Sequence, residues 1–135
     1  MKSKFKFSNP KLTRLIFKVN NDYAENEDSV SEIGTSISYE INKTSENEAV
    51  VELNIEIGEL SDQSPFFVNL LIGAKFKLDD AIEGTTFDKL LEVNAPALLL
   101  SYARPIISSV SNQAGMKPIN IPFINFTSQK KEDTN

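Results

Sequence analysis

The twenty residues from Asn94 to Gln113, NAPALLLSYARPIISSVSNQ, carry apolar side chains on two sides of a helix. Leu98, Leu99, Tyr102 and Ile106 form one stripe at spacings of three and four. Leu100, Ala103, Ile107, Val110 and Ala114 form a second. A helix lying on a sheet needs one apolar stripe, and two stripes need two covering surfaces. The rest of the chain supplies only one. The second stripe, Leu100 to Ala114, is therefore expected to meet another copy of the chain in an isologous contact. Asn94 has the chemistry of an N-cap, Pro96 suits the first turn, and Gly115 supplies the stop. Pro105 removes one backbone hydrogen bond and clashes with the carbonyl of Ser101, at about 3 kcal/mol. A kink or a helix in two pieces is expected there.

Four strands precede the helix. LIFKVN, IGTSISYEI, AVVELNIEI and FFVNLLIGAKFKL all alternate apolar with other residues, the period of a strand with one buried face. The connections NKTSENE and GELSDQSP are short and polar. Neither holds the crossover helix of a parallel pair. The expected fold is α+β, a four-stranded antiparallel meander packed on one long helix. The last strand departs from one-sided burial, because Phe67 and Leu71 lie on its second face. Between sheet and helix, Gly84 marks a break and Thr86 caps a short turn through Leu91. After the helix, Pro118 and Pro122 impose an extended segment in which Ile119, Ile121 and Phe123 alternate. Residues 1–127 read as one domain and 128–135 as a polar, disordered tail.

Composition removes several classes of function. With no Cys and no His, the chain lacks a thiolate, the usual general base and the commonest metal ligands. Asp79, Asp80 and Glu83 are three carboxylates close enough in sequence for a divalent cation. No phosphate loop or partner base accompanies them, and they read as a turn and helix-start cluster. The expectation is no catalysis, no metal and no cofactor. The net charge of −5 argues against nucleic acid, which needs a basic stripe. That excess sits in Asp22, Glu25, Glu27, Asp28 and Glu32. Such a run reads as a solvated loop, with docking of a basic partner as the alternative. No apolar run is long enough to span a bilayer and the start lacks a signal-peptide core, so cytoplasmic is the default expectation.

From about Glu48 to Phe126 the chain resembles the SecB family of export chaperones. The resemblance is carried by Tyr102-Ala103-Arg104, Ile107-Ser108-Ser109, the turn at Gly115, Pro118, Asn120, Pro122 and Asn125-Phe126. FFVNLLIGAKF and the following IEGT stand in the matching order upstream. The resemblance implies an ATP-independent holdase, a dimer of dimers that holds non-native polypeptides in apolar grooves for export. The alternative is a dedicated relative protecting the antitoxin of a toxin–antitoxin or defence module. Candidate groove residues are Phe67, Leu71, Phe87, Leu90, Ile121, Phe123 and Phe126. An acidic patch of Glu52, Glu56, Leu60 and Asp62 would dock a partner, which in the export branch is the motor SecA. Only nine residues follow Phe126, too few for the second helix and basic tail of that branch.

Overall fold

The computed structural model describes residues 4–21, 34–59, 64–121 and 124–129. Five strands form one antiparallel sheet: β1 (Phe5–Phe7), β2 (Lys11–Val19), β3 (Thr35–Lys43), β4 (Glu48–Gly58) and β5 (Phe66–Leu78). The expectation of four strands is corrected at the N-terminus, where Phe5 and Phe7 alternate with lysines and pair with β5. β1 lies against Phe76–Leu78 and β2 against Phe66–Gly73, so the two run in succession along the same edge. Pro10 stands between them and has no N–H to give a ladder, a sufficient reason for the break. The meander is corrected as well. β3, β4 and β5 follow one another, but β2 pairs with β5 rather than β3. The chain therefore passes from one edge of the sheet to the other between β2 and β3.

The inner face of the sheet holds the core. Val51, Leu53, Ile55 and Ile57 of β4 are buried, as are Phe66, Val68, Leu70, Ile72, Ala74 and Phe76 of β5. Each large side chain among them contributes roughly 1.5–3 kcal/mol by leaving water. Strands with this alternation hold their register, because a slip of one residue would turn every apolar side chain outward.

The helical layer begins at the expected Thr86 cap but does not restart at Asn94. Thr86 is the true cap, its hydroxyl accepting from the Lys89 N–H at 3.2 Å. The chain then stays helical through α1 (Phe87–Lys89), a π-helical turn (Leu90–Asn94) and α2 (Ala95–Gln113). Asn94 has helical backbone angles and makes no capping bond, so it is not the N-cap. Burial explains the difference. Leu90 and Leu91 both pack into the core, and the wider π turn keeps the chain helical between them and α2. α2 runs unbroken through Pro105, which lies on the exposed side, where water can meet the orphaned carbonyl. It ends at Gly115, φ +83°, with Met116 N–H donating to the Ser111 carbonyl and Gly115 N–H to that of Asn112, both at 3.1 Å. That is a Schellman stop. Buried Ser111 also accepts from Ile119 N–H at 2.8 Å, tying the returning segment to the helix. A short helix, α3 (Phe126–Gln129), follows at the end of the described chain.

Candidate functional site

The stripes of α2 face differently from the sequence assignment. Leu100, Ala103 and Ile107 are at most 2% exposed and belong to the chain's own core. Val110 is half-buried and Ala114 exposed. On the other stripe Leu99 is buried as well, while Leu98 and Ile106 are half-buried and Tyr102 is 41% exposed. Among the described residues, the other exposed large hydrophobic residues are Phe7, Leu12, Ile16 and Val19, all on β1 and β2. Phe7 meets Tyr102 edge-on, with ring centroids 6.4 Å apart. Sequence reasoning missed this group. The signal was present in the Lys-Phe-Lys-Phe alternation at residues 4–7.

The candidate groove residues divide between the two faces of the sheet. Phe67 and Leu71 are half-buried on the outer face, opposite Lys18 and Arg14 of β2, with Ile16 beside them. Phe87, Leu90, Ile121 and Phe126 lie in the inner layer and are 8, 8, 2 and 2% exposed. Phe87 is bounded by Phe5, edge-on at 6.4 Å, and by the Lys43 ammonium 5.7 Å from its ring. Lys43 also pairs with Asp88 at 2.9 Å. Phe126 meets Tyr39 edge-on at 5.9 Å. Ile37, Tyr39 and Ile41 of β3 form a half-buried apolar margin along this side of the core. Phe123 lies outside the described residues.

The outer face is polar and divided by charge. Register places Ser38, Asn54, Leu71 and Arg14 in one row across β3, β4, β5 and β2. The next row is Glu40, Glu52, Gly73 and Lys11. Acids therefore gather toward β3 and β4, where Glu40, Glu52 and Glu56 form no ion pair among the described residues. Bases gather toward β1 and β2. Asn69 is the buried pivot, accepting from Arg14 Nε at 2.5 Å and donating to Asn54 Oδ1 at 2.8 Å. Leu60 and Asp62 of the expected acidic patch lie outside the described residues.

No group of three acidic side chains converges among the described residues in a way that would hold a metal ion. Asp79 is instead engaged by Lys6 at 2.5 Å and Lys77 at 3.9 Å. The hydrogen bond from Lys6 holds its carboxyl below the usual carboxylate range. No helix among the described residues is long and apolar enough to cross a membrane.

Comparison with known proteins agrees with this architecture. The family model for preprotein translocase subunit SecB matches residues 15–133. An uncharacterized protein of Methanocaldococcus jannaschii is 28% identical over 130 residues, covering 92% of this chain and 81% of its own length. Protein-export protein SecB of Rickettsia akari is 36% identical over 94 residues, covering 67% of this chain and 61% of its own length. Among solved structures, a Mycobacterium tuberculosis SecB-like chaperone, in complex with a ChAD peptide from the HigA1 antitoxin, superposes with a TM-score of 0.63. That match is 11% identical and covers 90% of this chain and 91% of the other. The fold, the order of its elements and the extent of the family match lead to one conclusion: the chain belongs to the SecB family.

Proposed function

We propose that the protein is an ATP-independent holdase that binds non-native polypeptides for export and works in the cytoplasm as a homo-oligomer, a dimer of dimers. The observation that carries the reading is the placement of its large apolar side chains. Leu12, Val19 and Tyr102 are exposed along one sheet edge and the open side of α2. Apolar surface gathered in this way is a mark of a protein interface. A second copy is its occupant. The residues available for that contact are Leu98, Tyr102, Ile106, Val110 and Ala114, because Leu100, Ala103 and Ile107 are already spent on the core.

Clients bind along the margin of Ile37, Tyr39 and Ile41, with Phe87, Leu90, Ile121 and Phe126 beneath and beside it and Phe123 as a further candidate from the sequence. Phe67 and Leu71 extend the apolar surface to the outer face. At roughly 25 cal/mol per Å², a few hundred square ångströms per client segment supplies several kcal/mol before ordering costs. Several segments on one oligomer then add by avidity. Such binding requires no catalytic group. The acids Glu40, Glu52 and Glu56, which form no ion pair among the described residues, suit a basic docking partner such as SecA, with Leu60 and Asp62 as further candidates from the sequence.

A second reading, a dedicated chaperone of one antitoxin, is supported by the antitoxin peptide held by the Mycobacterium neighbour. The test of the main reading is light scattering from a chemically unfolded polypeptide diluted into buffer without nucleotide. Stoichiometric protein should suppress aggregation, and added ATP should change nothing. Undiminished scattering would sink the proposal. Affinity capture from the source cells separates the two readings, many precursors meaning export and one stoichiometric partner meaning a dedicated client.

A further inference from the structure

β1 is unlike the other strands. It has three residues, precedes the stretch that the family model matches, and is cut off from β2 by Ser8, Asn9 and Pro10. Yet its two rings cover a large part of one end of the core. Phe5 stacks on Phe76 with centroids 5.5 Å apart and planes 19° from parallel, and meets Phe87 edge-on. Phe7 lies tilted on Phe76 at 6.2 Å. Phe76 itself is fully buried beneath them. The backbone is held by Asp79 N–H donating to the Lys4 carbonyl at 2.8 Å and Ser8 N–H donating to the Lys75 carbonyl at 2.9 Å.

The same segment is built to let go. Phe7 is 43% exposed, and the Lys6 side chain that pairs with Asp79 is 54% exposed, so water and salt screen that pair. A ladder of three residues, with one backbone bond beyond it at each end, is short enough to open locally. The break before β2 allows β1 to leave without unzipping the rest of the edge.

We infer that β1 is an exchangeable strand occupying a binding site. The site is the edge of β5 from Phe76 to Leu78 together with the rings of Phe76 and Phe87. Its ligand is an extended polypeptide segment with aromatic side chains two residues apart, and β1 fills it in cis until such a segment displaces it. An incoming strand takes over the ladder bonds, and its alternate rings take the places of Phe5 and Phe7. This rests on the client-binding reading above, because Phe87 belongs to that surface. Tethering gives β1 a high effective concentration, so the strand excludes single weak segments and yields to clients that bind at several points. The apparent affinity for any client falls by the fraction of time the site is open.

Lys6 and Lys77 are register partners on the outer face, both about half exposed, and the chain has no Cys. The variant Lys6→Cys/Lys77→Cys therefore places one disulfide across β1 and β5 in the full chain. Its oxidised and reduced forms are titrated with a reduced, carboxymethylated polypeptide that cannot refold. The oxidised form should bind about fivefold more weakly than the reduced form, or worse. Asp79→Asn, which removes the partner of Lys6, should bind roughly two- to threefold more tightly than the native chain. Amides of β1 should exchange faster once the probe is added, while those of β4 stay protected. Equal affinity in all forms overturns the exchangeable strand and leaves the client reading standing. No binding by any form overturns both.

Discussion

β2 and β3 are edge strands of equal length, nine residues each, and the molecule finishes them in opposite ways. On β3, none of the large apolar residues is exposed. Ile37, Tyr39 and Ile41 are half-buried, and the fully buried Phe126 stands edge-on to Tyr39. On β1 and β2, Phe7, Leu12, Ile16 and Val19 are 43, 39, 43 and 40% exposed. The C-terminal segment that turns back at Gly115 closes one side of the molecule, and no described segment closes the other. The backbone of the open edge is nonetheless blunted, by Pro10, by a bulge between Leu12 and Arg14, and by lysines at 6, 11 and 18. These features discourage strand-to-strand aggregation. This edge therefore offers side chains while withholding an easy ladder, which suits a specific lateral contact. The β3 side is closed by the chain's own C-terminal segment, with Phe126 buried against Tyr39.

The comparison can be broken most severely at Phe126. Phe126→Ala should lose about 3–5 kcal/mol of stability in urea, because it opens a cavity under the closed edge. A loss below about 1 kcal/mol would mean that β3 is not finished by this segment. On the open edge, Leu12→Ser with Tyr102→Ser should weaken self-association tenfold or more, about 1.4 kcal/mol, while thermal unfolding of the dissociated chain hardly moves. Reversal of those two responses would refute the assignment of the edges. On the outer face, Glu40 stands directly opposite Glu52. Glu40→Lys should stabilise the protein by roughly 0.2–1 kcal/mol, read as a rise in the urea midpoint.

The smallest effect concerns pH. Lys6 lowers the Asp79 pKa in the folded chain. The pair therefore contributes fully above the ordinary carboxylate value, and its contribution is lost as pH falls through the lowered one. An NMR titration should place Asp79 below ordinary aspartates, and Lys6→Met should return it toward them. An unmoved titration in the variant would show that Lys6 is not the cause.

Much of this was legible in the residues. Alternation of period two located β3 and β4, and it located β5 although Phe67 and Leu71 add apolar character to its second face. The antiparallel arrangement followed from short polar connections. Three features were not legible. β1 is too short to show a period of its own, and only its pairing with Phe76–Leu78 makes Phe5 and Phe7 a strand. The helix start was misread because Asn94 has cap chemistry, whereas burial of Leu90 and Leu91 decides the backbone there. The two stripes of α2 both contribute to the chain's own core, Leu99 from the first and Leu100, Ala103 and Ile107 from the second. How much of each stripe faces the sheet depends on the helix's rotation about its axis, and sequence period alone does not set that rotation.

Sedimentation velocity of the native chain at micromolar concentration tests the central claim most directly. The open edge and the open side of α2 predict a stable oligomer of several copies that Leu12→Ser/Tyr102→Ser dissociates. A native chain that sediments as a monomer would contradict the account.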